Sequence, residues 1–574
     1  MSLQNPLARI GPTEHETAWR RLDGGRVDVL VIGGGVTGAG AALDAATRGL
    51  STALVEARDF ASGTSSRSSK LFHGGLRYLE QLDFSLVREA LRERELMLTR
   101  LAPHLVRPVS FLYPLTRHVW ERAYVGAGLA LYDTLGGKSS LPPHRHLSKR
   151  AARALCPALK AASLVGALRY YDAQTDDARH TMTLVRTAAQ HGAVVRSSTE
   201  VVDLLRDGDR VTGAVLRDAD SGATCEVRAR VVLNCTGVWT DDVQRLSGDK
   251  GRFRVRASKG VHLLVPRDRI NSDTGLILRT PRSVLFVIPW GSRWIIGTTD
   301  TDWDLDRAHP AASSTDIDYL LGQVNGVLSS AITRADVVGV YAGLRPLLAG
   351  ESEETSQLSR EHAVARSVPG LVTVAGGKYT TYRIMARDAV DACVEDLDRP
   401  VPPSVTDQVP LLGADGYAAL VNRHVVIAEE LGVPSWRLRG LLDRYGSLVH
   451  EVLAPASREP ELLQPVTGAP EYLAAEVRYA ATHEGALHLD DVLTRRTRIS
   501  IETSHRGTES ARAVAKLVAP VLGWDAGTAQ REVETYVARV AAERASQSER
   551  EDVAADAARI LGPELRRTRE TQLS

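Results

Sequence analysis

The chain is poor in cysteine: Cys156, Cys225, Cys235 and Cys393 are the four among 574 residues, and no two share a C-x-x-C spacing. That excludes a disulfide framework, a cysteine zinc site and a dithiol redox pair, and it fits a reducing compartment. A surplus of one charge is also missing. The 71 Lys and Arg against 70 Asp and Glu leave a formal net charge of +1, so no bulk field points to nucleic acid or anionic lipid. Any anion site must be built from local arginines. Long apolar runs are absent as well. The stretch most like a membrane segment, Ala123 to Tyr132, lies between Arg122 and Asp133. It falls far short of the roughly 20 residues that cross a bilayer. No apolar run followed by a small-residue cleavage site opens the chain, so no secretory signal is expected. Internal repeats are absent.

The length calls for about three domains. Residues 1–25 read as a polar, irregular arm. Val27-Asp-Val-Leu-Val-Ile32 is a nearly all-apolar run, as in a strand buried on both faces of a parallel sheet. Gly33-Gly-Gly-Val-Thr-Gly38 follows it, then the Ala-rich helix Ala39–Arg48, Gly49 as a stop and a second strand, Ser51–Val55. Further strands are expected at 193–202, 211–217, 227–235, 284–289, 293–297, 337–341 and 371–375. Strands that return to the first unit after long insertions imply a discontinuous domain. Its pieces are expected at 1–100, 178–250 and 361–398, with a substrate domain from 101–177 and 251–360. Arg399-Pro-Val-Pro-Pro403 opens a linker over 399–409. Residues 410–574 read as all-α, ending in a solvated tail from Arg566.

The glycine pattern carries the first chemistry. Gly33 permits a tight turn, Gly35 lets backbone approach a pyrophosphate, and Gly38 lets helix and strand pack closely. The helix N-terminus then offers amides and a partial positive charge to phosphates. Glu56, at the end of the second strand, stands where an acid accepts ribose hydroxyls. The fingerprint alone does not separate FAD from NAD. Two small-residue turns after buried strands, Cys235-Thr236-Gly237 and Gly376-Gly377-Lys378, favour FAD. The second precedes a helix that could stabilise charge on a reduced flavin.

Longer motifs carry a resemblance. Ser65-Ser-Arg-Ser-Ser-Lys-Leu-Phe-His-Gly-Gly-Leu-Arg-Tyr-Leu79, Lys259-Gly-Val-His262, Gly297-Thr-Thr-Asp300, Gly343-Leu-Arg-Pro346 and Gly376-Gly-Lys-Tyr-Thr-Thr-Tyr-Arg383 occur in order. With Leu493-Thr-Arg-Arg-Thr-Arg498, they resemble the FAD-dependent glycerol-3-phosphate dehydrogenases from Asp28 to about Arg498. The resemblance implies an α/β protein. A glutathione-reductase-like FAD-binding domain would join a mixed, antiparallel-sheet substrate domain and an all-α C-terminal domain. It implies oxidation of sn-glycerol 3-phosphate to dihydroxyacetone phosphate, with hydride passing from C2 to N5 of non-covalent FAD. Electrons would go on to a membrane quinone. A homodimer in the cytoplasm, peripheral on the inner face of the cell membrane, is implied too, with no nucleic acid as partner. Cofactor contacts are implied at Thr64, Ser65, Ser66, Lys70, His73, Gly74 and Val201, besides the glycine turns.

Guanidinium groups bind a phosphate dianion bidentately, which makes Arg77, Arg345 and Arg360 substrate candidates, with Tyr78 beside them. Gly343-Leu-Arg345-Pro346 places Arg345 at a fixed turn. Lys378 at a helix start calls for an anion, and Thr381 lies one turn on. Alcohol oxidation needs a group to take the O2 proton, and histidine suits that role. His262 is expected near substrate and His73 near the flavin, with the choice of base open. Asp300 could hold a turn or orient a basic group, and the structural role is the one expected. Peripheral membrane contact is expected over Arg107–Tyr132, which mixes Arg107, Arg117, His118 and Arg122 with aromatics. An oxygen-using oxidase of the same family, an amine or amino-acid oxidase and a non-catalytic flavin scaffold are the competing readings.

Overall fold

The computed structural model describes residues 8–75, 83–116, 120–137, 140–248, 254–280, 284–349 and 362–568. Two large sheets organise it. The first has eight strands. At its centre Arg26–Ile32 runs parallel to Thr224–Asn234 on one side and Thr52–Val55 on the other. Val29, Leu30 and Val31 are fully buried, which is why this strand is a continuous apolar run rather than an alternating one. Leu371–Gly376 extends the parallel set beyond Thr224–Asn234. The glycine helix, Val36–Thr47, is built almost wholly of small buried residues. It therefore fits closely against helices Asp177–Gln190 and Tyr382–Val394, and a Cβ on Gly40 would meet the Tyr382 ring at 2.9 Å.

The second sheet has ten strands, drawn from 71–175 and 255–348. Its long strand Val255–Pro266 pairs with Arg293–Gly297 and Thr301–Trp303 on one edge and with Gly339–Leu348 on the other. The short strand Leu71–Phe72 also joins this sheet, against Gly166–Thr175, although it falls inside the piece expected to belong to the cofactor domain. Among the described residues beyond 410 the chain is mainly helical, apart from a small hairpin of Pro465–Val466 and Ala469–Leu473.

Four expectations need correction. Residues 12–22 are not an irregular arm but a helix, Pro12–Leu22, with proline in its first turn. Its polar composition hides a narrow apolar face, Ala18, Trp19 and Leu22, that packs beside Val194. The 399–409 stretch is irregular but docked: Ser404 donates to Asp44 of the glycine helix, and Thr406 is buried beside Arg383. The tail is not solvated as far as Thr568. Arg566 forms a bidentate pair with Asp491 at 2.9 and 2.7 Å, and the Arg567 amide donates to Ala219. Finally, Arg107–Tyr132 is not one surface segment. Its first half is the strand Val106–Leu115, where Phe111 and Leu112 are fully buried. Arg107 pairs with Asp443 and Arg122 donates to the Leu147 carbonyl. Arg117 and His118 lie outside the described residues.

A seam of buried ion pairs ties the C-terminal helices to the first sheet. Both Asp59 oxygens accept from Arg496 at 2.7 Å, and Arg495 adds a third bond at 2.5 Å. Arg498 reaches Asp176 and Asp177, and Arg179 reaches Glu484. The Leu493–Arg498 motif is thus a row of cations that finds Asp59, Asp176 and Asp177 more than 300 residues away, while Arg495 also pairs with nearby Asp490 and Asp491.

Candidate active site

A cavity of about 1240 Å³ opens between the two sheets. One end is the glycine turn. Gly33 stands at φ +106°, and a Cβ there would meet the Cys235 carbonyl oxygen at 2.7 Å. A Cβ on Gly38 would lie 1.9 Å from the Gly33 oxygen, so Gly38 serves close packing and lies behind the cavity rather than in its wall. Gly35 is different. A Cβ there meets only Ser65 Oγ, at 3.2 Å, and otherwise points into open cavity. With the free first-turn amides of the glycine helix, this is a cradle shaped for a pyrophosphate. Glu56 lines the same end and accepts from the Gly34 and Arg58 amides at 2.7 and 2.9 Å. Burial pushes its carboxyl up. Thr64, Ser65, Val201, Thr236 and Gly237 complete this half of the wall. Arg58 stacks over Trp239 and reaches Thr568 Oγ1, which closes that end. Neither Trp239 nor Thr568 stands in a motif that would have marked it.

The other half carries the reactive groups. Gly376 and Gly377, both left-handed at φ +77° and +79°, turn the chain so that Lys378 faces the cavity just before the short turn Tyr379–Thr381. His73 lines the cavity too, its amide donating to Thr380 Oγ1 at 3.2 Å. His262 and Arg345 come from paired strands. Ser258 faces Arg345, Gly260 faces Gly343 and His262 faces Tyr341. Residues two apart share a face of a sheet, so His262 and Arg345 project to the same side with one glycine pair between them. A Cβ on Gly260 would meet Arg345 Nη2 at 2.6 Å, so the arginine lies across that gap towards the histidine. Arg345 is therefore in a strand, not at a turn. Gly339–Leu348 pairs only with Val255–Pro266 among the described residues, and proline is tolerated on such an edge.

Arg345 is oriented by Asp300 Oδ1 at 3.3 Å, Thr298 Oγ1 at 3.1 Å and the Thr299 carbonyl at 3.2 Å. These contacts are longer than typical charge-assisted bonds, and they aim the guanidinium. Asp300 also accepts from Ser258 and so orients a basic group. His262 stacks flat on Tyr341, with centroids 4.7 Å apart, and its Nε2 is 2.9 Å from Ser69 Oγ. Burial first, then Arg345 and Lys70, hold its pKa well below 6.5. It is a neutral imidazole, the form that can accept a proton. Ser69 sits inside a quoted motif, but nothing local marks it as the partner of a histidine 193 residues away.

Other expected contacts are not in the wall. Lys70 is fully buried, its Nζ bonded to Asp177 at 2.6 Å and to the Ser66 carbonyl. A lysine beside a cofactor motif proves to be part of the ion-pair seam. Ser66 lines a smaller, separate cavity. The Gly74 amide donates to Tyr132, and Thr381 is buried beneath Lys378. Arg77, Tyr78 and Arg360 lie outside the described residues.

Comparison with known proteins agrees with this arrangement. Residues 28–383 match a family model described as FAD dependent oxidoreductase, and residues 404–529 match one described as C-terminal domain of alpha-glycerophosphate oxidase. Glycerol-3-phosphate dehydrogenase 2 of Mycobacterium tuberculosis is 63% identical over 561 residues, covering 98% of this chain and 96% of that one. The human mitochondrial glycerol-3-phosphate dehydrogenase is 37% identical over 555 residues, 93% of this chain and 76% of the other. The solved glycerol-3-phosphate dehydrogenase of Bacillus halodurans, complexed with FAD, superposes with a TM-score of 0.76 at 29% identity, covering 92% of this chain and 97% of that one. The cradle at Gly35, the acid at Glu56 and these matches agree, and the chain belongs to the FAD-dependent glycerol-3-phosphate dehydrogenase family.

Proposed function

We propose that this enzyme oxidises sn-glycerol 3-phosphate to dihydroxyacetone phosphate and delivers the electrons to a quinone held in a membrane. The observation that carries the reading is the shared face of His262 and Arg345, a neutral base and an anion binder across one glycine pair. When bound, FAD supplies the acceptor for the hydride that leaves C2. The chain's own residues do the rest. Gly33, Gly35 and the start of the glycine helix would hold the pyrophosphate, and Glu56 the ribose. Arg345 and Lys378 bind the substrate phosphate. Arg77, Tyr78 and Arg360 are assigned to the same anion by the family motifs alone. His262 takes the O2 proton, and Ser69 holds its ring in place. His73, its ring 6.2 Å from that of Phe286 and its amide bonded to Thr380, would flank the flavin.

The quinone reading rests on the cavity mouth. Phe84, Tyr124 and Leu131 line the cavity, yet are 40%, 50% and 38% exposed. An apolar rim of this kind suits the boundary of a lipid surface better than water. The membrane contact is thus narrower than the sequence suggested, confined to helix Trp120–Leu135 and Phe84. No helix among the described residues is long and apolar enough to cross a bilayer. The match of residues 404–529 to an oxidase domain favours oxygen as the alternative acceptor. The test is to reduce the holoenzyme anaerobically with substrate, then add air or liposomes carrying a lipophilic quinone. Faster reoxidation by the liposomes, lost in Tyr124→Ser/Leu131→Ser, is expected. Stoichiometric peroxide, with no acceleration by quinone, would replace this reading with the oxidase.

A further inference from the structure

A second cavity, of about 80 Å³, lies where the chain after Ser66, the segment His309–Ala312 and the C-terminal helices meet. Its charged lining is Arg67, Arg498, Arg539 and Arg559 against Asp490 and Glu543. Part of this charge is already neutralised. Arg498 is bound by Asp176 and Asp177, Arg539 pairs with Asp490 at 2.7 Å, and Glu543 faces Arg506 at 3.7 Å. Arg67 and Arg559 form no ion pair among the described residues. Arg67 donates only to the Ala308 carbonyl, at 2.9 Å, and Arg559 is 7% exposed. Asp490, Glu543 and Glu564 act on Arg559 only from longer range. Two further donors of lining residues, Arg539 Nε and Ser500 Oγ, have no hydrogen-bond partner, whereas His309 Nε2 faces the Glu564 carboxylate.

Burying two guanidinium groups without counterions is costly, and a family of donors around one small space is what an oxyanion satisfies. The volume is several times the roughly 10–15 Å³ that one water requires. We propose that this cavity binds a small tetrahedral oxyanion of the inorganic phosphate class, held chiefly by Arg559 and Arg67, with Ser500 completing its shell. One further feature agrees: burial and the neighbouring arginines bring Arg67 down to about 10, still charged at neutral pH. Arg67 also lines the large cavity, and its backbone packs on Gly343, two residues from Arg345. Occupancy of the small site therefore bears on a segment that lines the large one.

The test uses holoenzyme and radiolabelled inorganic phosphate in equilibrium dialysis. Arg345→Gln serves as the background, to silence phosphate binding in the large cavity. One phosphate per chain is expected in that background. Adding Arg559→Gln should weaken it about ten- to a hundredfold, the worth of one charge-assisted contact. Ser500→Asp places a carboxylate among the arginines. It should abolish phosphate binding and raise the phosphate-free Tm. No bound phosphate at millimolar concentration in the Arg345→Gln background would overturn the proposal. So would equal binding in Arg559→Gln. Should Arg559→Gln fail to fold, Ser500→Asp decides alone: retained phosphate binding there would overturn the site.

Discussion

Glu56 and Asp59 stand three residues apart and meet opposite surroundings. Glu56 accepts backbone amides and faces the large cavity. Asp59 turns the other way and is closed off by Arg495 and Arg496. The contrast extends along both surfaces. In the cavity, charged and polar groups are aimed by modest contacts, as Arg345 is. Along the seam, Asp59, Asp176, Asp177 and Glu484 are each met by a guanidinium at close range. One set of groups is arranged for recognition, the other for holding two domains in register. The histidines report the same division. His262 in the cavity is pushed well below 6.5, whereas at the seam Asp220 and Glu532 lift His488 to about 9 despite its burial.

The largest effect is expected from breaking the seam. Asp59→Asn leaves Arg495 and Arg496 buried without their shared carboxylate, and such a change costs about 3–5 kcal/mol. Urea unfolding should show the loss as a large drop in the first transition midpoint. Glu56→Gln, on the cavity side, should shift that midpoint far less while weakening FAD retention. Equal midpoints for Asp59→Asn and wild type would mean that the seam contributes nothing to stability.

A smaller effect separates the two histidines by pH. His488 has a folded pKa of about 9 against an ordinary 6.5. Its contribution is therefore fully present below pH 6.5 and is lost as pH rises to 9. At about 1.4 kcal/mol per unit it amounts to at most roughly 3.5 kcal/mol. His488→Gln should flatten that slope in thermal melts. His262 is depressed instead, so it stays an unprotonated base as pH falls past 6.5. The rising limb of kcat/KM should lie below pH 6.5 and vanish in His262→Ala. A limb at or above 7 would assign proton abstraction to another group, with His73 the first to examine.

Much of the cavity was legible in the chain because its requirements are local. A strand, three glycines, a helix of small residues and a terminal acid are contiguous, and each residue type has a steric or dipolar reason. Lys378 after two glycines is local in the same sense. The seam was not legible. Asp59, Asp176 and Asp177 look like ordinary polar residues until the fold brings Arg495, Arg496 and Arg498 to them, and Lys70 was read as a cofactor contact for that reason. Arg345 was read as a turn residue because Pro346 suggested a break. Only the edge position of its strand explains how the proline is accommodated. The helix Pro12–Leu22 was missed because three apolar residues on one face are diluted by charged ones.

The central claim is that the cavity's base and anion binder act together on one phosphorylated alcohol. Anaerobic mixing of the holoenzyme with sn-glycerol 3-phosphate, followed by flavin absorbance, tests it most directly. The flavin of wild type should bleach with sn-glycerol 3-phosphate and not with glycerol. Arg345→Ala should need one to two powers of ten more substrate, the weight of a bond worth about 1.5–3 kcal/mol. A flavin that stays oxidised with sn-glycerol 3-phosphate, or an Arg345→Ala variant that saturates like wild type, would contradict the account.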